Sequence, residues 1–466
     1  MAPYGELLNL QDPKLEVQTI GFLEQSLGTH LQQLKVNALR SQKKISKDPD
    51  VLVLSGLAFT AFPIGAVAPL QAWMPPILSV VALLYLRRKN LMSLIPSPRI
   101  VTYIFGLIII WSFIASLWSL DVYTSLFATA RLGTIFLFLV ILLQVAQNLT
   151  KQSRETVRLW LVRGCLIGTY LALAKGIVSI LLTLQDAASL THHDYSSLNY
   201  LFQNSALVTG LNETTVIMTL LCFPTISCIT ETYGRRSSII YIVPISLLLV
   251  FLGPLATILA FLAGAIVFVI CQHSLYYATL LVKLSVSAYL IFIIFLHNIE
   301  DWLTRAFIGG LSLPDHALHR LSIWKFTSER IAEQPFRGYG LNTSRIFPGA
   351  NSQTTWYNES TNTIISAPFM PLHPHSAFLQ IWLELGSLGV ILTIGILYIM
   401  ISGISKIPNV MAAAAIMATF VIAFTLTQLS FGIWQGWLMG ALCTTVILAQ
   451  SLIDPGEPYK GPNDGL

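Results

Sequence analysis

The sequence predicts an all-α, polytopic membrane protein, and three observations lead to that fold class. Of its 466 residues, 54% are hydrophobic and only 11% are charged, whereas a soluble domain carries about 25% charged residues. The mean hydropathy is +0.69. The apolar residues also gather in segments of about 20, the length that a helix needs to cross a bilayer. These properties exclude a cytosolic enzyme, a disordered scaffold and a nucleic-acid-binding protein.

Twelve candidate membrane helices follow from the apolar segments. They lie near residues 51–70, 71–86, 100–120, 124–147, 158–183, 204–230, 237–252, 254–271, 277–297, 376–401, 409–431 and 433–452. The second is short, and only Gly253 and Pro254 separate the seventh from the eighth, so the predicted range is ten to twelve. The expected organisation is a tail at 1–50, nine helices in 51–297, a long loop at 298–375, three helices in 376–452 and a tail at 453–466.

Basic residues indicate how these helices are oriented. With the tail at 1–50 in the cytoplasm, the short outer loops contain no Lys or Arg, which satisfies the positive-inside rule. The long loop at 298–375 does contain cations, but long translocated segments are largely exempt from that rule. The tail has no short apolar core with a cleavage site, so we interpret it as a tail and not as a signal peptide. We therefore expect both termini in the cytoplasm and the long loop outside.

Some charged residues lie inside the predicted spans. They are Arg131, Arg163, Lys175, Glu213, Lys283 and Glu384. Arg163 and Lys283 are near cytoplasmic helix ends, where long side chains reach the interface. At about 1.5 Å of rise per residue, the others lie roughly 10–15 Å below the outer surface. Because intramembrane charge is costly, these four predict a polar cavity that opens outward; the alternative is that they form structural ion pairs.

Residues 313–334, in the long loop, predict an amphipathic helix. Pro314 and Asp315 suit its first turn, and the run ends before Pro335. One face carries Arg320, Ile323, Trp324, Thr327 and Ile331, and the other carries Ser322, Lys325, Glu329 and Glu333. Because Arg320 shares the apolar face with Trp324, we interpret it as a buried side chain that engages another group.

The rest of the long loop contains three further features. Gly338 and Gly340 allow a tight turn close to another backbone or a ligand. Residues 349–366 are polar with almost no charge, and we interpret them as a mobile loop, in which Trp356 and Tyr357 either stack on a sugar ring or lie at the bilayer interface. His375 begins the next membrane helix, just above the predicted polar cavity, so a functional role is favoured over a simple cap.

Three segments carry a resemblance to the O-antigen ligase and polymerase superfamily. ASLWSLDVYTSL (115–126) is similar to the segment that follows an early span in that family. HRLSIWKFTSERIAEQPFRGYGLNTSR (319–345) resembles its outer-loop pattern of Arg, Ile-Trp, a helix, Pro and a Gly-x-Gly turn. HPHSAFLQIWLELGSLG (373–389) is similar to its His-Asn/Ser-x-x-Leu-Gln…Glu-x-Gly signature. The resemblance covers about residues 100–400.

The resemblance implies a GT-C-like fold and a glycosyltransferase that takes a glycan from undecaprenyl pyrophosphate. Ligases of the family attach the glycan to the lipid A-core, and polymerases extend it by one repeat; the motifs do not separate the two. By motif match, Arg320 takes the place of the family's outer-loop arginine, and His375 takes the place of its histidine. GLNETTVIM (210–218) carries Glu213 where the family usually has arginine, and Arg131, Lys175 or Arg345 are candidates for the missing cation.

The chemistry implied by this resemblance favours metal-independent, inverting transfer. Fixed cations can stabilise a pyrophosphate leaving group, and no outer loop carries a paired acidic motif for a metal, so no cofactor is expected. His375 would orient or deprotonate the acceptor sugar hydroxyl. Predicted catalytic residues are His375 and Arg320, and predicted substrate-binding residues are Arg131, Lys175, Glu213, Arg345, Glu384 and Trp324.

Two other functions fit parts of the sequence. Twelve spans with buried charges also fit a secondary transporter, but a two-halved transporter has its long connection at the middle of the chain, not after the ninth span. A relative that only binds lipid-linked glycan is the other alternative. The expected location is the bacterial inner membrane, with the lipid bilayer, a glycan donor and a glycan or lipid A-core acceptor as partners.

Overall fold

The computed structural model describes residues 48–94, 100–189, 209–308, 315–358 and 363–454. The predicted N-terminal tail, except its last residues, and nearly all of the C-terminal tail lie outside these ranges. The helices are α1 Pro49–Val67, α2 Met74–Leu86, α3 Ile100–Ala115, α4 Val122–Asn148, α5 Lys151–Ser189, α6 Thr209–Tyr233, α7 Arg235–Leu252, α8 Leu255–His273, α9 Leu275–Ile308, α10 Asp315–Glu333, α11 Ala377–Ile404, α12 Val410–Leu429 and α13 Gly436–Gln450. Two strands, β1 Gln353–Asn358 and β2 Thr363–Pro368, follow α10.

The all-α, polytopic membrane class is confirmed. Among the described residues, 11 helices are long and apolar enough to cross a membrane, and Gly436–Gln450 is a shorter apolar helix. Each of the twelve predicted spans coincides with one of these helices. The most buried is α6: of its apolar 18-residue stretch, 89% is buried inside the protein, so α6 forms the centre of the helical bundle.

Close packing of α1 against α5 depends on two glycines one turn apart. A Cβ atom at Gly164 would overlap the backbone of Phe59, and one at Gly168 would overlap Phe62. Small residues at this four-residue spacing let membrane helices approach closely, because lipid chains compete with side chains for apolar contact and backbone packing becomes decisive. This contact fixes one wall of the bundle beside α6.

Two arginines at the start of α5 are buried and bind the backbone at the ends of neighbouring helices. Arg154 is 2% exposed, and its guanidinium donates to the carbonyl oxygens of Gln147, Leu149 and Gln450. Arg158 donates to two carbonyls that follow α13 and pairs with Asp454 at 2.8 Å. Since the last carbonyls of a helix have no intrahelical donor, these side chains satisfy the ends of α4 and α13.

Helix α11 is interrupted at Gly386, whose backbone has φ 66° and ψ −169°. The backbone groups of α11 that lose their helical partners at this break bind other segments. Three carbonyl oxygens accept hydrogen bonds: Leu383 O from Tyr339 N–H at 3.0 Å, Glu384 O from Gly340 N–H at 2.8 Å, and Leu385 O from the Trp111 indole at 2.8 Å. The Ser387 N–H donates to Pro335 O at 2.9 Å. A bilayer offers no water to such groups, so a break at this depth is stable only when other protein groups satisfy it. We call this contact between residues 335–341 and 383–387 the junction.

All three segments that carry the family resemblance meet at the junction. Trp118 donates its indole N–H to Gly338 O at 3.2 Å, and Leu120 N–H donates to Tyr339 O at 3.2 Å. A Cβ atom at Gly338 would lie 2.6 Å from the Glu384 carbonyl, and one at Gly386 would overlap the Phe336 carbonyl oxygen. Glycine at both positions therefore allows two backbones to pack at the distance of a hydrogen bond.

The long segment between α9 and α11 contains the predicted helix and a hairpin that the sequence analysis did not predict. In α10, Ile323, Thr327 and Ile331 are buried, as expected for its apolar face. Residues 349–366, which we interpreted as a mobile loop, include two strands, because β1 and β2 pair in an antiparallel hairpin with Gln353 opposite Pro368. The polar composition concealed it, although Thr, Trp, Tyr and Ile favour strands.

Candidate functional site

A polar cavity of about 670 Å³ lies among the ends of the membrane helices. It is lined by Leu70, Arg131, Asn212, Glu213, Pro254, Arg320, Asn342, Arg345, His373, His375, Ser430, Phe431, Trp434, Gln435, Gly436 and Trp437. Five of the predicted site residues are therefore brought together: Arg131 from α4, Glu213 from α6, Arg320 from α10, Arg345 from the turn after the junction, and His375. We call this the polar cavity.

His375 is held in an unusual conformation at the entrance to α11. Its φ is 55°, a value that non-glycine residues adopt only under constraint. The next residue, Ser376, caps α11 by accepting from Leu379 N–H, and its hydroxyl also bonds Tyr289 and Gln428. The strain at His375 is thus imposed by a firmly anchored helix start.

The hydrogen bond of His375 defines which of its nitrogens is free. Nδ1 lies 2.5 Å from the carbonyl oxygen of Ser430. A carbonyl can only accept, so in the neutral ring Nδ1 carries the proton and Nε2 has an unshared pair. The imidazole therefore offers an acceptor nitrogen for a hydroxyl group.

Burial keeps both cavity histidines neutral. Burial, followed by the nearby His373, lowers the pKa of His375 to about 3. Burial also lowers the pKa of His373, and Arg345 adds to that shift. An ordinary histidine has a pKa of about 6.5, so burial makes His375 a weaker base.

Three arginines supply positive charge to the polar cavity. Arg131 is fixed by a hydrogen bond of 2.9 Å to the Trp434 carbonyl oxygen. Arg320 is half-buried on α10, and burial lowers its pKa. Arg345 is exposed. Neither Arg320 nor Arg345 forms an ion pair or hydrogen bond with another described residue, which leaves both guanidinium groups available to an anion.

Glu213 is the acidic residue in the lining. Its Oε2 atom is buried and has no hydrogen-bond partner among the residues that the structure describes. Buried carboxylate oxygens normally accept at least one hydrogen bond. An unpaired acceptor at this position suits a ligand that brings a hydroxyl donor.

Lys175 and Trp324, both predicted to bind substrate, do not line the polar cavity. The Lys175 Nζ donates to Gly210 O at 3.1 Å and Thr214 Oγ1 at 3.3 Å, so it braces the first turn of α6. Trp324 donates its indole N–H to Pro374 O at 3.0 Å. This hydrogen bond links α10 to the segment between the two histidines.

Glu384 also lies outside the lining, because its carboxylate accepts hydrogen bonds from other residues of the protein. The residue is 0% exposed. Its oxygens accept from Asn342 N–H at 2.5 Å, the Trp434 indole at 2.6 Å, the Ser344 hydroxyl at 2.7 Å and the Gln380 amide at 3.1 Å. Glu384 thereby fixes two parts of the cavity wall, the turn that carries Asn342 and Arg345 and the segment that carries Trp434.

The alternative that the intramembrane charges pair with one another is wrong. No ion pair joins Arg131, Lys175, Glu213 and Glu384 to each other within the described ranges. Arg163, which the sequence analysis set apart from the site, lies 4.7 Å over the ring of Trp160. Lys175 and Glu213 still interact electrostatically, and of the four only Arg131 and Glu213 line the cavity.

Sequence reasoning missed several lining residues. His373 was overlooked although it stands two residues before His375, and Asn342 follows the predicted Gly-x-Gly turn. The segment from Ser430 to Trp437 gave no signal, because its contribution is largely backbone, such as the carbonyls that bind His375 and Arg131. No group of three or more His, Cys, Asp or Glu residues that could hold a metal occurs in the part of the chain that the structure describes.

A second cavity of about 520 Å³ adjoins the polar one at Trp434, which lines both. It lies among α3, α4, α11, α12 and α13, and aliphatic and aromatic side chains such as Phe105, Leu139 and Ile396 form most of its wall. An apolar space beside a polar one suits an amphiphile with a charged head and a hydrocarbon chain.

Fold and site together define a multi-pass helical membrane protein with a cationic cavity at the helix ends. A protein family described as O-Antigen ligase matches residues 234–394. A Rickettsia conorii protein that carries the provisional name polysaccharide ligase is 26% identical over 74% of this chain and 78% of its own length. Rickettsia felis and Rickettsia bellii proteins with that provisional name are 27% and 31% identical, over 59% and 43% of this chain and 67% and 48% of their own lengths. These matches confirm the resemblance to the O-antigen ligase superfamily.

Proposed function

We propose that the protein is a glycosyltransferase of the O-antigen ligase type, which moves a glycan from undecaprenyl pyrophosphate to a sugar hydroxyl of the lipid A-core. The comparisons support ligase-type glycan transfer as the general activity, and the donor and acceptor are part of our proposal. The observation that carries the finer proposal is the polar cavity, where Arg320 and His375 meet two more arginines in one space.

The arginines are proposed to hold the donor pyrophosphate. As the bond from the sugar to the phosphate breaks, negative charge collects on the phosphate oxygens, and fixed guanidinium groups stabilise it. Arg320 and Arg345 have no partners within the described residues, whereas Arg131 is already oriented by Trp434. Arginine suits this work because its planar fork binds two phosphate oxygens at once.

His375 is proposed to serve the acceptor. The acceptor hydroxyl oxygen attacks the anomeric carbon, the bond from that carbon to the phosphate oxygen breaks, and the hydroxyl proton passes to Nε2 of His375. Undecaprenyl pyrophosphate leaves, and attack from the opposite side inverts the anomeric centre. A bound pyrophosphate raises the pKa of His375 because a nearby negative charge favours the imidazolium, so the donor itself strengthens the base.

The neighbouring apolar cavity supports a lipid-linked donor. It adjoins the polar cavity at Trp434, so a polyprenyl chain can lie among the helices while its pyrophosphate contacts the arginines. Transfer is proposed to need no metal, because the arginines provide the positive charge; we expect activity to persist in EDTA.

Glycan profiling of a deletion strain tests this function. We expect the strain to lose all polymer from the lipid A-core while lipid-linked polymer accumulates, and a plasmid copy of the full chain to restore the wild-type profile. Retention of a single repeat on the lipid A-core would indicate the alternative, a polymerase with the same donor. An unchanged profile would contradict both and would favour transport of another solute.

The proposed orientation places the polar cavity at the periplasmic face of the inner membrane. Gln353 and Arg235 are both exposed and so form a matched pair for cysteine labelling. In intact cells, Gln353→Cys should react with an impermeant thiol reagent, and Arg235→Cys should react only after lysis. Labelling of the second in intact cells would reverse the orientation.

A further inference from the structure

His373 is a cavity residue that the proposed mechanism does not use. It is 6% exposed, lines the polar cavity, and its ring centroid lies 4.3 Å from that of His375. A Cβ atom at Gly432 would approach its Cγ to 2.9 Å, so the backbone of the α12–α13 link packs directly against the ring. The ring is therefore fixed in place by close packing.

One nitrogen of this fixed ring has no partner. Nε2 lies 3.4 Å from the Ser430 carbonyl oxygen, the same atom that binds His375. Because that carbonyl can only accept, Nε2 carries the proton and Nδ1 has an unshared pair. Nδ1 is buried and has no hydrogen-bond partner among the described residues. Leaving a buried acceptor unpaired is destabilising, so this atom requires an explanation.

The chemistry of the unpaired Nδ1 limits which groups can form a hydrogen bond with it. An acceptor must be paired with a donor, and an ionised pyrophosphate carries none. The arginines of the cavity are better used on phosphate oxygens. Among the groups that the proposed reaction brings to the cavity, sugar hydroxyls are the available donors.

We propose that Nδ1 of His373 accepts a hydrogen bond from a hydroxyl of the acceptor sugar, next to the hydroxyl that His375 activates. Two imidazoles 4.3 Å apart, both tied to one backbone carbonyl, can reach neighbouring hydroxyls of one sugar ring. His373 is thereby a binding residue that selects an acceptor with a hydroxyl beside the one that reacts. This inference rests on the proposed glycan transfer.

Three substitutions separate hydrogen bonding from packing. In His373→Asn the amide oxygen can occupy the place of Nδ1, in His373→Gln an amide reaches only the place of Nε2, and His373→Phe keeps a ring without any acceptor. Transfer is measured with purified full-length protein, undecaprenyl-pyrophosphate-linked glycan as donor and increasing concentrations of lipid A-core glycolipid. The exposed His273 provides a matched control as His273→Phe.

We expect His373→Phe and His373→Gln to raise the acceptor KM about five- to tenfold, as loss of one hydrogen bond implies, with the donor KM unchanged. His373→Asn and His273→Phe should stay within about twofold of the wild type. An unchanged acceptor KM in His373→Phe would overturn the inference, as would a His373→Asn variant as impaired as His373→Phe.

A binding measurement keeps this inference separate from the proposed function. Equilibrium binding of lipid A-core glycolipid is compared between the wild type and His373→Phe without donor. If the wild type binds the glycolipid more tightly but transfers nothing, the proposed function fails and the binding role of His373 stands. If both proteins bind equally, the inference fails even when the wild type is fully active.

Discussion

Glu384 and Glu213 are two carboxylates in membrane helices, and their surroundings are opposite. Glu384 is fully buried, and its oxygens accept hydrogen bonds from four residues of three different segments. Glu213 lines the polar cavity with an oxygen that has no partner within the described chain. The same residue type therefore serves as scaffold in one place and as a candidate ligand contact in the other.

The arginines repeat this contrast. The guanidinium of Arg154 donates hydrogen bonds to three backbone carbonyls. Arg320, in contrast, makes no hydrogen bond to another described residue and lines the polar cavity. Intramembrane charge alone thus does not identify a site, although it is often a good first indication. A charged group indicates a ligand when the protein leaves its hydrogen-bonding capacity unused.

Substitution of each carboxylate by alanine should have a different effect on stability. Glu384→Ala should lower the free energy of unfolding by about 3 kcal/mol, because several buried donors lose their acceptor together. Glu213→Ala should stay within about 0.5 kcal/mol of the wild type, since no protein donor depends on its free oxygen. Thermal unfolding of the purified variants in one detergent measures both. Equal destabilisation would mean that Glu213 is also part of the scaffold.

Two glycines on α11 test whether the junction stabilises the broken helix. Gly386→Ala would force a Cβ atom into the Phe336 carbonyl at a backbone conformation with φ 66°, and we expect a loss of about 2 kcal/mol. Gly395 has open space around its Cα, so Gly395→Ala should be neutral or slightly stabilising. If the two variants unfold at the same temperature, the junction does not stabilise the broken helix.

On the cavity side, Arg320→Lys preserves charge but removes the planar fork. We expect the rate of transfer to fall about tenfold, because an ammonium cannot make the paired hydrogen bonds of a guanidinium to phosphate. The exposed Arg337 provides the control: Arg337→Lys should retain wild-type transfer. An Arg320→Lys enzyme with normal kcat and donor KM would show that charge alone is sufficient.

The pH dependence is the smallest expected effect. Since His375 has a pKa of about 3 in the free protein, it stays neutral through the mildly acidic range, and kcat/KM for the donor should change less than about twofold between roughly pH 7.5 and 5.5. An ordinary histidine would lose about tenfold over that interval. Folding stability behaves differently: it falls as the pH drops below about 6.5, because the unfolded chain binds protons that the buried ring does not. A tenfold loss of kcat/KM by pH 5.5 would contradict this pKa.

Local patterns were sufficient for much of the fold and part of the site. Apolar length predicted every membrane helix, and helical periodicity predicted that Arg320 lies on the apolar side of α10, because both depend on neighbours in sequence. The convergence of Arg131, Glu213, Arg320, Arg345 and His375 was also predicted.

Contacts between distant segments could not be predicted in the same way. The function of Glu384 depends on Asn342 and Trp434, about 40 and 50 residues away in opposite directions, and the break at Gly386 depends on a loop that arrives from before α11. The hairpin was missed because its strands are polar. His373 was missed because only the structure reveals that its Nδ1 is unpaired.

We propose that the polar cavity performs the transfer with separate residues for donor and acceptor. Purified His375→Ala and Arg320→Ala proteins test it when donor binding and transfer are measured on the same preparation. We expect His375→Ala to lose about 10²–10⁴-fold in rate while binding undecaprenyl-pyrophosphate-linked glycan as the wild type does, and Arg320→Ala to lose both. Near-normal transfer by His375→Ala would contradict the claim.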